Sequence, residues 1–256
     1  MSDTPTYVVT GATGGLGKAI VKELASRPGA RIVMAVRNPQ RALDYAESLG
    51  ADGCEFRAVR LDLESIEGTE AAARSIIELG WSIDALINNA GVMPGNVEIT
   101  ADAYEKAMQL NYLSTRRLTE LLAPHVADGG AIVFTTSVTR HLGGDPEDAV
   151  QRAATRRGLL RRFVTYGQSK RLITRYAHTL GQQLAARGVR VNCADPGIAD
   201  TGIITMGNKV VDALATWLFR PIIYTAEQGA VPAIKAVDSK ESGLIYTYKK
   251  VKRNDL

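Results

Sequence analysis

The stretch Thr6-Tyr7-Val8-Val9-Thr10-Gly11-Ala12-Thr13-Gly14-Gly15-Leu16-Gly17-Lys18 passes from strand-forming residues through a glycine-rich turn into a helical pattern. Glycines at such a turn let the chain reverse sharply and let its backbone come close to a ligand. The helix that follows presents free N–H groups and a favourable dipole to an anion. The spacing is G-x-x-x-G-x-G, carried by Gly11, Gly15 and Gly17, with Gly14 between. A plain tight turn uses glycines too, but a strand before and a helix after favour binding of a pyrophosphate.

Outward from this turn, short apolar runs alternate with longer stretches of helical period along the whole chain. Strands are expected over Thr6 to Thr10, Arg31 to Val36, Glu55 to Arg60, Ala85 to Asn88, Ala131 to Thr136, Val189 to Ala194 and Leu244 to Tyr246. Helices are expected over Leu16 to Ser26, Gln40 to Leu49, Ser65 to Leu79, Ala101 to Leu122 and Gly167 to Arg187, with another near Ala226. Several strands are continuous apolar runs, as required where helices cover both faces of a parallel sheet. The expectation is a single doubly wound, Rossmann-type α/β domain over residues 1–256. Two segments interrupt the alternation: an arginine-rich insert near 143–165 and an apolar excursion near 198–222, placed for a substrate loop. Both leave the carboxyl ends of strands, where open α/β sheets bind ligands.

With 256 residues, 45% hydrophobic and 23% charged, the chain has the balance of a globular protein, which excludes a disordered, collagenous or coiled-coil chain. Cys54 and Cys193 are too few for a disulfide framework. No apolar stretch approaches the ~20 residues of a transmembrane helix, and a cytoplasmic protein is expected. The formal net charge of +4 is local: residues 151–165 contribute +5 and residues 247–256 contribute +3, leaving −4 on the remainder. That distribution does not suit a nucleic-acid partner.

The second expected strand ends in Met34-Ala35-Val36-Arg37-Asn38. An acidic residue near this point grips ribose hydroxyls in dinucleotide folds, whereas an arginine pairs with a 2′-phosphate. No acid occupies the tip and Arg37 does, which points to NADP(H). Tyr166 and Lys170 are four residues apart, so a helix would put both on one face. Alone, such a pair is commonly a half-buried tyrosine beside a solvated lysine. Its company changes the reading. Ser137 ends the fifth strand, Asn88-Asn89-Ala90-Gly91 ends the fourth, Asn111 lies in a long helical stretch, and Pro196-Gly197-Ile198 follows the sixth with Thr201 behind.

With these motifs in this order, the chain resembles the short-chain dehydrogenase/reductase superfamily, from Thr10 to the Pro196-Gly197 turn. The resemblance implies that Tyr166 exchanges a proton with a carbonyl oxygen, that Lys170 lowers its pKa and holds the nicotinamide ribose, that Ser137 polarises the carbonyl, and that Asn111 helps hold a water in the proton relay. It also implies cofactor contacts from Thr10, Gly11, Thr13, Gly14, Gly15, Leu16 and Gly17, from Asp62 and Leu63 beside the adenine, from Asn89, Ala90 and Gly91, and from Pro196, Gly197, Ile198 and Thr201 near the carboxamide. The segments Ala35-Val36-Arg37-Asn38, Leu61-Asp62-Leu63, Asn89-Ala90-Gly91-Val92-Met93 and Tyr166-Gly167-Gln168-Ser169-Lys170 look most like the retinol-dehydrogenase-like branch. Ser137 and Tyr166 are 29 residues apart, longer than the superfamily's shorter pattern, and Phe134, Thr136 and Asp195 depart from its usual residues.

The expected activity is interconversion of a largely apolar carbonyl and an alcohol by an NADP(H)-dependent ketoreductase. A C=C reductase and a non-catalytic NADP(H)-binding regulator are the alternatives, and relatives often form homodimers or homotetramers. His125, His141 and His178 lack metal-ligand spacing. Arg152, Arg156, Arg157, Arg161 and Arg162 would share one side of a helix were the insert helical, as a solvated or subunit-contacting face or as forks for an anionic substrate handle. Trp217-Leu218-Phe219 suits an interfacial membrane stripe, but such a stripe is more often a pocket lid or core.

Overall fold

The structure is a computed structural model that describes residues 4–142, 148–153, 161–199 and 223–254. Strand and helix alternate: β1 (Thr6–Thr10), α1 (Gly15–Ala25), β2 (Arg31–Val36), α2 (Pro39–Leu49), β3 (Glu55–Arg60), α3 (Ile66–Ile77) and β4 (Ile83–Asn88). A composite helix follows, made of α4 (Lys106–Met108), a π-helical turn (Gln109–Ser114) and α5 (Thr115–Leu122). After β5 (Val126–Thr135) come a 3₁₀ turn (Val138–His141), α6 (Ala149–Ala153) and the long α7 (Arg161–Gln183). The chain then forms β6 (Arg190–Ala194), β7 (Ile198–Ala199), β8 (Ile223–Tyr224), α8 (Ala226–Asp238), β9 (Leu244–Tyr246) and β10 (Val251–Arg253).

Eight strands form one sheet in the order β10-β9-β6-β5-β4-β1-β2-β3, and β7 pairs with β8 separately. Within the larger sheet every pairing is parallel except β9 with β10. Successive residues of a strand face opposite sides, so each strand feeds two cores. Val9, Ile32, Met34 and Ile87 pack with Ile20 and Leu24 of α1, Ala42 of α2 and Ala233 of α8. Val8, Val33, Leu86 and Ile132 pack on the other face with Ile76 of α3, Leu118 of α5 and Ile173 of α7. This two-sided burial accounts for the unbroken apolar runs.

Helix starts are capped as their sequences suggest. Asn38 accepts from the Arg41 amide with Pro39 in the first turn of α2, Ser65 accepts from Gly68, and Thr225 with Gln228 closes a capping box on α8. α1 differs, because Gly14 at its N-cap supplies no side-chain bond.

Two expectations need correction, and one strand was not expected. The helix expected from Ala101 begins at Lys106, because Ile99 bridges to Glu105 and Asp102 accepts from the Ile66 amide and the Gln109 side chain. β5 begins at Val126 rather than Ala131, and Arg187 holds its start by donating to Asp128 and to the Ala123 and Val126 carbonyls. The tail carries an antiparallel strand, β10, that its run of basic residues concealed. The arginine-rich insert divides between α6 and α7, and Arg156 and Arg157 lie outside the described residues.

Phe134 is fully buried and meets Tyr176 edge-on with ring centroids 5.8 Å apart. Phe134→Ala is expected to cost about 3–5 kcal/mol, read as a fall in urea midpoint at unchanged slope.

Candidate active site

The strand order reverses between β1 and β4, and their carboxyl ends are held together there. The Ala90 amide donates to Thr10 Oγ1 at 2.9 Å and Asn89 Nδ2 donates to the Thr10 carbonyl at 3.0 Å. The turn after β1 is packed to its limit. Gly11 has φ +64°, and a Cβ on Gly17 would lie 2.1 Å from the Gly11 carbonyl oxygen and 2.8 Å from Ala12 Cα. Only glycine permits that turn. With no side chain on its first amides, α1 keeps N–H groups and dipole directed at this crevice, as a pyrophosphate requires. The residues present therefore fit a dinucleotide.

Arg37, at the tip of β2, is exposed and lies 3.7 Å from Glu64, which also pairs with Lys106 at 3.0 Å. The Arg37 pairing was not legible in the sequence, since Glu64 arrives from the end of β3. Asp62 accepts from the Glu64 amide, and Leu63 is buried beside it.

α7 begins at Arg161, so Tyr166 lies inside the helix rather than at its opening, with Lys170 one turn on. Lys170 is buried; its Nζ donates to the Thr135 carbonyl at 2.7 Å and sits 5.7 Å from the centre of the Tyr166 ring. Burial pulls its pKa down to about 8, against the pull of the Asp195 carboxylate. Burial likewise pushes the Tyr166 phenol up to about 12, although a hydrogen bond with Ser137 acts the other way. At neutral pH the pair is thus a protonated phenol beside an ammonium group.

Ser137 Oγ accepts from the Thr139 hydroxyl at 3.0 Å and from the Thr139 amide at 3.3 Å. Its turn meets α7 at Gly167, where a Cβ would lie 2.5 Å from the Thr139 carbonyl oxygen and 2.9 Å from that of Leu142. Gly167 is thus what lets the serine turn reach the helix carrying Tyr166. Its need for closeness is set by a partner 28 residues earlier, which no local pattern reveals.

Asn111 stands in the π-helical turn, and its amide is committed: Oδ1 accepts from Val92 at 2.8 Å, while Nδ2 donates to the Val92 carbonyl at 2.9 Å and to Ser169 Oγ at 3.1 Å. A Cβ on Gly91 would lie 3.2 Å from Asn111 Oδ1 and 3.3 Å from Lys170 Nζ, so this glycine makes room for both groups. Pro196 and Gly197 follow β6, and Gly197 has φ +70°. Ile198 lies in β7, whereas Thr201, Trp217, Leu218 and Phe219 fall outside the described residues. His141 is exposed, its pKa lowered by burial and by Arg140, Arg171 and Lys252. Among the described residues no cluster of potential metal ligands occurs, and no helix is long and apolar enough to cross a membrane.

The family model for short chain dehydrogenase matches residues 5–147. The chain is 32% identical over 245 residues to polyprenol dehydrogenase of Mus musculus, covering 91% of this chain and 71% of that one. It is 30% identical over 227 residues to retinol dehydrogenase 12 of Homo sapiens, covering 87% and 70%. Among solved structures, a short-chain dehydrogenase of Burkholderia cenocepacia in complex with NADP superposes with a TM-score of 0.74 at 22% identity, covering 95% of each chain. The angucycline C-6 ketoreductase LanV with bound NADP gives 0.71 at 26%, covering 96% of this chain and 95% of that one. A parallel sheet with a glycine turn at its switch point is the class of a dinucleotide-binding oxidoreductase. This chain belongs to the short-chain dehydrogenase family, in its retinol-dehydrogenase-like branch.

Gly17→Ala must move backbone rather than a flexible side chain. It is expected to weaken dinucleotide binding by about tenfold or more, measured by fluorescence titration, and to lower Tm.

Proposed function

We propose that this protein is an NADP(H)-dependent oxidoreductase that interconverts a carbonyl and an alcohol, with Tyr166 as proton donor and acceptor. The observation that carries this reading is the grouping of Tyr166 with the buried Lys170, whose Nζ lies 5.7 Å from the centre of the phenol ring and donates to the Thr135 carbonyl, beside the Ser137 turn at the carboxyl edge of the sheet. A non-catalytic binder needs none of these groups.

The residues that would hold the dinucleotide are the Thr10 to Gly17 turn around the pyrophosphate, Asp62 and Leu63, Asn89 to Gly91, Lys170, and Pro196 to Ile198 with Thr201. Bound there, the nicotinamide supplies or takes the hydride. The protein's own groups handle charge and proton. Ser137 donates to the carbonyl oxygen and orients it, and Tyr166 gives that oxygen a proton as negative charge develops on it. Lys170, cationic below about 8, stabilises the phenolate left behind. Because Asn111 spends its amide on Val92 and Ser169, its side chain serves to set the loop at Gly91 and, through Ser169, which donates to the Tyr166 carbonyl, the Tyr166 to Lys170 turn. Burial keeps the Tyr166 phenol protonated at neutral pH, the form that donates in carbonyl reduction.

Support for NADP(H) over NAD(H) comes from Arg37, an exposed guanidinium at the tip of β2. LanV, with its bound NADP, agrees with it. The relatives named for polyprenol and retinol point to a largely apolar substrate. We place the site in one domain, in a cytoplasmic enzyme.

Tyr166→Phe is expected to lower kcat for NADPH-driven carbonyl reduction by about a hundredfold or more, with the Kd for NADPH little changed. Undiminished turnover would exclude Tyr166 as donor. For Arg37→Asp, the ratio of Kd values for NADPH and NADH is expected to shift about tenfold or more toward NADH, and an unchanged ratio would remove the assignment. The sign of the pH dependence follows from Lys170, whose positive charge is present below about 8 and lost above it. The profile of kcat/KM for NADPH, which reports the free enzyme, is therefore expected to fall as pH rises through that value. In Lys170→Arg the falling limb should move to higher pH.

A further inference from the structure

We propose that Arg140 and Asp195 form a buried positioning couple that sets the Ser137 turn against the Pro196-Gly197 turn, and so fixes the carbonyl-holding hydroxyl relative to the nicotinamide side. The inference rests on the oxidoreductase reading above and adds a specific device to it. Both residues are buried, with 4% and 5% of their surface exposed, although both carry charge. Arg140 Nη1 donates to the Ser137 carbonyl at 2.8 Å and to Asp195 Oδ2 at 2.8 Å. The other carboxylate oxygen, Oδ1, accepts from the Gly197 amide at 3.0 Å. The Arg140 amide also donates to the Ser137 carbonyl at 3.0 Å, and the Asp195 amide donates to Tyr246 at 2.8 Å. One guanidinium and one carboxylate thus join the backbone of two site turns that lie on different strands.

A pair meant only for stability would be cheaper as apolar residues, because burying two charges costs about as much as their attraction returns. This pair sits at the carboxyl edge of the sheet and its bonds end on Ser137 and Gly197. Nor is it electrically silent. Arg140 is paired with Asp195, and the Asp195 charge also acts on His141, Tyr166, Lys170 and Cys193, while Arg171 and Lys252 act on His141. The Asp195 charge raises the pKa of both Tyr166 and Lys170, and Arg140 offsets that charge. The arginine beside Ser137 and the aspartate before Pro196 are ordinary in isolation. Their meeting across 55 residues is what gives them a role.

The test compares wild type, Asp195→Asn, Arg140→Gln, the double variant Arg140→Gln/Asp195→Asn, and Arg140→Lys. For each, kcat and KM for a carbonyl substrate are measured at saturating NADPH, with the Kd for NADPH, the pH profile of kcat/KM and a thermal melt. Each neutralising single variant is expected to lower kcat about tenfold while changing the Kd less than about threefold. Their alkaline limbs should move in opposite directions, down in Asp195→Asn and up in Arg140→Gln, which a purely structural defect would not produce. The neutral double variant, with amides that still hydrogen-bond, should regain part of the lost kcat and the wild-type pH profile. If a neutralising variant fails to fold, Arg140→Lys decides, since it keeps the charge and loses the planar fork. Its kcat is expected to fall about fivefold. Wild-type kcat in folded variants, or losses that simply multiply in the double variant, would overturn the couple alone. A wild-type enzyme that reduces no carbonyl would refute the oxidoreductase reading and the couple with it.

Discussion

The amide of Ala90 donating to Thr10 Oγ1 closes the carboxyl ends of β1 and β4 on each other, and the rest of the site is built outward from that junction. It requires Gly11 at positive φ and a missing side chain at Gly17, because the turn, the neighbouring loop and α1 occupy nearly the same space. Two central strands held this way make a crevice lined by main-chain N–H groups. An anion there is met by donors that need no reorganisation.

The second constraint is the close approach of α7 to the turn after β5. Gly167 lets the two backbones touch, and that contact brings the Ser137 hydroxyl to the Tyr166 phenol. Lys170 enters the same space with a charge it can barely keep, held by the Thr135 carbonyl and by the room left at Gly91. Burial works against both titrating groups, raising the phenol and lowering the ammonium. Their pKa values are driven apart, to about 12 and about 8, so below about 8 a protonated phenol stands beside a cation.

The apolar runs were readable as strands because each feeds two cores, so neither face could be polar. Tyr166 and Lys170 were readable as a pair because helical geometry alone places residues four apart on one face. The helix expected from Ala101 starts only at Lys106, because Asp102 and Glu105 are committed to distant or capping contacts that override helical periodicity. The basic tail hid a strand because its pairing with β9 is a tertiary contact. Gly167 stood in the motif without a role, since its neighbours Thr139 and Leu142 come from another element.

The chain by itself determined the alternation of strand and helix, the glycine turn, the tip residue Arg37 and the spacing of tyrosine and lysine. Each depends on periodicity or on a residue's own conformational and chemical limits, which are local. Tertiary structure decided what those residues meet: Glu64 against Arg37, Asn111 bonded to Val92, the phenol hydrogen-bonded to Ser137, and Arg140 joined to Asp195. Those pairings set charge, burial and reach, and they arise only where strands far apart in sequence end at the same edge of the sheet.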